Sequence, residues 1–190
     1  MILSDGEIRA ALEAGTLIVD PSPDADRYGT TSVDLRLDDK FLQWDLEALR
    51  EQFGEVPTID IGNYDFSSLA KAYLRPAPVS DDGCATLHPR QFLPGQTLET
   101  VGFPHGGALA GRVEGKSSLA RLGLSVHFAP TLHAGWRGHI TLELHNVGTA
   151  PLRLRPDAPI CQLLVEPVRG APTGTMDDTR FQDQESPRGW

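Results

Sequence analysis

The chain has 190 residues, 39% of them hydrophobic and 23% charged, an ordinary globular composition with enough apolar material for one core. No stretch approaches the ~20 apolar residues of a membrane span, and the opening Met1-Ile2-Leu3-Ser4 lacks the basic region and long apolar run of a secretory signal, so the expected location is the cytoplasm. The 26 acidic against 17 basic side chains give a formal net charge of −9, the wrong sign for a nucleic-acid binder, so a phosphorylated ligand must be small and met by a few placed cations and backbone donors.

Cys84 and Cys161 are the only cysteines, too few for a disulfide framework or a cysteine-rich metal site. In chain order, Ser4 and Glu7 have capping-box spacing, Ile8 and Leu12 recur at helical separation, and Gly15 closes a short helix expected over about 5–14. From Thr31 to Leu37 the period changes to two, as in a half-buried strand. Residues 40–83 are irregular, with a possible helix from Leu46 to Gln52, and read as an insertion within a single domain over 1–190. From Leu87 onward short apolar runs alternate with Pro and Gly: QFLPGQTLETVGFP, ALAGRVEG, GHITLELHN, PLRLRP and APICQLLVEP. Strands at this spacing favour a mainly β sandwich or jelly roll with few other helices. The polar end, MDDTRFQDQESPRGW, reads as a mobile tail or as a flap that orders over a ligand.

Two stretches carry candidate chemistry. In Gly115-Lys116-Ser117-Ser118 a glycine admits close backbone approach, two hydroxyls can bond phosphate oxygens, and Arg121 follows one helical turn beyond Ser117. It is not a Walker A loop, since that motif needs glycine where Ala110 stands. A helix start capped by serine is the bland counterpart. In Gly138–Asn146 strict alternation puts Ile140, Leu142 and Leu144 on one face and His139, Thr141, Glu143 and His145 on the other. Glu143, mid-strand and partly buried, suits general acid/base work, although a solvent-facing glutamate would give the same pattern. His127, His133, His139 and His145 recur every six residues, a spacing that fits no helical zinc pair; the His-x-Glu…Pro-Cys-x-x-Cys signature of zinc deaminases is also missing.

The run GRVEGKSSLARLGLSVH, followed by GWRGHITLELHN, resembles the dCTP deaminases of the dUTPase-like superfamily. The likeness extends to SDGEIRAALEAGTLIVDP with TTSVDLRL, to LHPRQFLPGQTLETV and to RFQDQ near the end. The resemblance implies a distorted jelly roll or dUTPase-like β-barrel and a homotrimer with active sites at subunit interfaces. It implies dCTP as substrate, Mg²⁺ carried by the triphosphate, and no zinc. Glu143 then matches the proton-transferring glutamate, and Ser117 and Arg121 the residues that order the water and stabilise charge around the pyrimidine. Lys116 and Ser118 would hold phosphates, Thr141 and Leu142 would offer backbone contacts to the base, and Arg180 and Gln184 match the closing tail over about 173–190.

Two departures stand out. Where the family reads close to Thr-Ala-x-x-Ile-Asp-Pro-Gly, this chain has Phe128–Gly135, FAPTLHAG, with His133 in place of the aspartate. A histidine is a poor carboxylate substitute beside a polyphosphate, so deamination is expected to stop at dUTP. The tail lacks the family's tyrosine, Thr173 falling nearest, which leaves dCMP or a modified cytosine open as substrate. The alternatives are a dUTP diphosphatase or bifunctional enzyme, which Glu143 and His133 disfavour, and an inactive nucleotide-binding regulator.

Overall fold

In the computed structural model, which describes residues 1–106, 108–129, 131–177, 179 and 181–189, the chain opens with helix α1 (Asp5–Glu13). The capping box sets its start: the Ser4 hydroxyl accepts the Glu7 N–H at 3.3 Å, and the Glu7 carboxylate accepts the Ser4 N–H at 2.8 Å. Strands β1 (Ile18–Asp20), β2 (Tyr28–Gly29) and β3 (Ser32–Arg36) follow. The 40–83 segment carries β4 (Leu42–Trp44), α2 (Leu46–Phe53), α3 (Phe66–Tyr73) and β5 (Leu74–Pro76). Then come β6 (Ala85–Leu87), β7 (Phe92–Gly102), β8 (Leu109–Gly115), α4 (Ser117–Ala120) and β9 (Leu124–Ser125). The series closes with β10 (Thr131–Leu132), β11 (Arg137–Asn146), β12 (Leu152–Leu154) and β13 (Pro159–Pro167).

Two antiparallel sheets form the body, ordered β1-β7-β11-β9 and β10-β8-β13-β3-β2. Neighbours distant in sequence, β7 beside β11 and β8 beside β13, are the long connections of a distorted jelly roll. The mainly β architecture expected from the sequence is the one adopted, with sheets left open rather than closed into one barrel. Alternation drives it: Val33 and Leu35 of β3, Leu142 and Leu144 of β11, and Leu163 and Val165 of β13 all enter one core, fully buried. The strands therefore turn their polar residues outward, and this fixes where Glu143 points.

Within that core Glu99 is a buried carboxylate, 2% exposed. Its oxygens accept the Arg36 Nε–H at 2.6 Å and the Arg36 backbone N–H at 2.8 Å, and the carboxylate in turn raises the basicity of the guanidinium. Glu99→Ala would strand Arg36 and open a gap between β3 and β7. A loss of about 3 kcal/mol is expected in denaturant unfolding, the lower end for a buried pair because Arg36 keeps Asp157 at 3.5 Å.

The 40–83 segment has a small core of its own. Leu42, Ala70 and Leu74 are buried together, with Trp44 and Phe66 packed against them. The helix expected at Leu46–Gln52 is α2, started by Asp45, whose carboxylate accepts the Ala48 N–H at 3.1 Å.

Candidate functional site

The site grows from β11. Leu142 and Leu144 anchor in the core, so Glu143 between them stands on the opposite face, half-buried, with its backbone opposite Pro94 of β7. One carboxylate oxygen, Oε2, accepts the Phe128 N–H at 3.0 Å. That bond orients the group and leaves acceptor positions on both oxygens for a water or ligand.

Glu143, Thr141, His133 and Gln184 line a single cavity of about 580 Å³, within the range of small-molecule sites. The lining is otherwise mostly apolar, including Phe92, Trp136 and Ile140. Ile140, a buried core residue, also borders the cavity, and the β11–β7 register shifts beside it, between His139 and Thr141. Thr97 holds that bulge: its hydroxyl oxygen accepts the Ile140 N–H at 3.0 Å and its own proton goes to the Glu99 carbonyl at 2.8 Å. Leu142, by contrast, is fully buried on the core face, so only its backbone is available to a ligand.

The C-terminal segment lies along the start of β11. The Trp136 indole donates to the Phe181 carbonyl at 2.8 Å, the Asp183 N–H to the Arg137 carbonyl at 2.8 Å, and the His139 N–H to the Gln184 carbonyl at 3.1 Å. Gln184 is 6% exposed, and its side-chain amide donates back to the His139 carbonyl. Gly138, at φ 154°, permits this approach, because a Cβ there would stand 3.0 Å from the Gln184 nitrogen. Arg180 lies outside the described residues.

The Lys116–Arg121 motif sits elsewhere in the chain's fold. Lys116 follows β8 at the N-cap position of α4, Arg121 closes that turn, and none of Lys116, Ser117, Ser118 and Arg121 borders the cavity. Lys116 Nζ lies 2.5 Å from Asp34 Oδ2, and Asp34 is held in turn by the Gln162 amide at 3.3 Å. Ser117, Ser118 and Arg121 are exposed. Gly123, at φ 95°, fixes this loop against the end of β11: its carbonyl accepts the Val147 N–H at 2.8 Å, and a Cβ there would collide with the Gly148 backbone. Beside the loop stand two exposed apolar residues, Leu122 at 61% and Val147 at 66%; Phe128, at 61%, is exposed nearer Glu143. Phe128 also stacks on Phe92, centroids 6.4 Å apart, at the rim of the cavity.

Other nucleophile and metal candidates are weak. Burial pushes the Cys161 thiol up, away from the thiolate form, and Cys84 is buried as well. Among the described residues no group of three or more His, Cys, Asp or Glu side chains is placed to hold a metal ion. No helix among them is long and apolar enough to cross a membrane. Sequence reasoning expected the tail at the site but singled out none of Trp44, Phe66, Trp136, Phe181 and Arg188; Trp136 and Phe181 lie within the stretches GWRGHITLELHN and RFQDQ, whereas Trp44 and Phe66 carry no motif and join the cavity only by folding.

A sequence model described as dCTP deaminase-like matches residues 2–168. The dCTP deaminase of Rhodospirillum rubrum is 36% identical over 191 residues, covering 98% of this chain and 94% of the relative. A protein of Parafrankia sp. described as dCTP deaminase, dUMP-forming, is 38% identical over 193 residues, covering 98% of this chain and 88% of its own. Among solved structures, the 2'-deoxycytidine 5'-triphosphate deaminase from Agrobacterium tumefaciens superposes with a TM-score of 0.60 at 21% identity. That alignment covers 86% of this chain and 47% of the other, a likeness of fold.

Proposed function

The chain belongs to the dCTP deaminase-like family, and from that premise we propose that it hydrolyses the cytosine amine of dCTP, giving dUTP and ammonia, with Glu143 as general acid/base. The observation that carries this reading is the Glu143 carboxylate, oriented by the Phe128 N–H and set in an otherwise mostly apolar cavity large enough for a nucleoside. Water loses a proton to Glu143 as its oxygen bonds to C4 of the pyrimidine; the C4=N3 π bond opens and that proton passes to N3. Glu143 then takes the proton of the new hydroxyl and delivers it to the exocyclic nitrogen, the C4–N bond breaks as C4=O forms, and ammonia leaves. Both transfers use one carboxylate, so it must stay fixed through the cycle, as a strand residue between two core leucines does.

Thr141 and the Leu142 backbone border the place of the base, and Gln184 brings the tail to its side. A pocket that bonds the exocyclic amine discriminates against uracil, because uracil would leave those polar partners unmatched. Arg180 is assigned to the polyphosphate as part of the same tail. Mg²⁺ enters as part of the substrate, on the triphosphate.

Lys116, Ser117, Ser118 and Arg121 complete the site from a neighbouring subunit of a homotrimer. Three features support this: the four residues lie outside the Glu143 cavity of their own chain, Arg121 and both serines face solvent, and exposed Leu122 and Val147 stand beside their loop. In that arrangement Ser117 and Arg121 order the water and balance the developing charge, while Lys116 and Ser118 hold phosphates.

A second reading has a specific observation behind it, since relatives as similar as the Parafrankia protein are described as dUMP-forming. Here His133 stands at the cavity where that step would use a carboxylate, so the reaction is assigned to end at dUTP. Incubation with dCTP, dCMP and dUTP, each with Mg²⁺, separates the readings. Ammonia and dUTP without pyrophosphate are expected from dCTP alone; pyrophosphate from dCTP or dUTP would establish the bifunctional reaction instead.

A further inference from the structure

The 40–83 segment, left without a role by the reaction itself, forms part of the cavity. Trp44, Phe66 and Leu74 line it beside Phe181 and Arg188 of the tail. The contacts between the two are specific. The Phe66 and Phe181 rings meet edge-on, centroids 6.1 Å apart at 71°. Arg188 Nη2 donates to the Leu74 carbonyl at 2.7 Å, and Lys40 Nζ donates to the Glu185 carbonyl at 3.1 Å. The tail thus rests on two supports, the backbone at the start of β11 and the small cluster of Leu42, Ala70 and Leu74 that carries Phe66.

We propose that the 40–83 segment is the seat of the C-terminal tail and that Phe66 is a positioning residue of the substrate site, holding Phe181 and, through it, Gln184 at the cavity. The proposal rests on the reading of this cavity as the nucleotide site. A tail held by few contacts opens easily, and a ligand that needs it closed binds more weakly in proportion to the open fraction. Loosening the seat therefore raises KM and leaves the chemistry of bound substrate alone. Phe66 acts through Phe181, since proton transfer belongs to Glu143.

The test uses the full chain with Phe66→Ala, Phe181→Ala and the double variant, read two ways. Without nucleotide, amide exchange of residues 181–189 should accelerate about tenfold in each single variant, the worth of an edge-to-face pair with its burial, and no further in the double. With dCTP, KM should rise by a similar factor while kcat stays within about twofold. Phe66→Leu, which keeps the apolar volume, guards against a folding defect and should fall between the wild-type chain and Phe66→Ala. Exchange of β11 beyond His139, whose own N–H bonds the Gln184 carbonyl, should be unchanged throughout. Tail exchange and KM unmoved by Phe66→Ala, or effects that add in the double variant, would overturn the seat. Absence of dCTP turnover by the wild-type chain would overturn the functional reading instead, because tail exchange is measured without nucleotide and decides the seat alone.

Discussion

Glu143→Gln is expected to lower kcat for dCTP by about 10²–10⁴-fold, the usual contribution of a general acid/base, while leaving thermal unfolding close to that of the wild-type chain. Glutamine has the same shape and can still accept the Phe128 N–H that the carboxylate accepts at 3.0 Å, so the strand and its neighbour need not move. It cannot take a proton from water. Glu143 is half-buried on the outward face of β11, between leucines that carry the packing, so the stability and activity of this position separate. Ammonia release and a thermal melt on the same preparation measure both quantities. A variant that melts early would make the loss of rate a folding effect, and one that retains rate would remove Glu143 from the mechanism.

The second large effect concerns the assembly. Arg121→Ala is expected to be as inactive as Glu143→Gln on its own, yet the two inactive variants should restore activity when they are unfolded, mixed in equal amounts and refolded together. In one chain the Lys116–Arg121 loop does not border the Glu143 cavity, and in the proposed trimer each complete site takes a glutamate from one subunit and an arginine from the next. Random mixing places an intact Glu143 beside an intact Arg121 in roughly a quarter of the interfaces of a cyclic trimer, so about that share of wild-type activity should return. No recovery, with mixed assemblies verified by mass, would mean that both residues act within one chain.

Much of the fold is legible from alternation. β3, β11 and β13 bury alternate apolar residues, and a period of two leaves little choice of face, so the outward position of Glu143 follows from reading Ile140, Leu142 and Leu144 inward. α1 is legible because Ser4 and Glu7 sit at capping distance. α3 is not: its Phe66-Ser67-Ser68 start reads as loop, and only Asp65, accepting the Ser67 and Ser68 N–H groups, marks the cap. The register shift at Ile140 is held by Thr97, more than 40 positions away, and no local pattern announces it.

The candidate site divides in the same way. Lys116, Ser117, Ser118, Arg121 and Glu143 stand out as a motif, but the sequence does not say that the first four lie apart from the last within one chain. Asp34 as the partner of Lys116 is likewise a product of folding, since β3 and β8 meet only through β13. The aromatic wall and the tail contacts come from segments with no period at all.

The central claim is that water attacks C4 of cytosine and the amine leaves. Turnover of dCTP in water enriched in oxygen-18, with nucleotide and phosphate products analysed by mass, tests it most directly. The predicted result is one labelled oxygen on the pyrimidine ring of dUTP for each ammonia released, with the phosphates unlabelled. Label appearing in a released phosphate without ammonia would contradict the claim and make the cavity a site of phosphate hydrolysis.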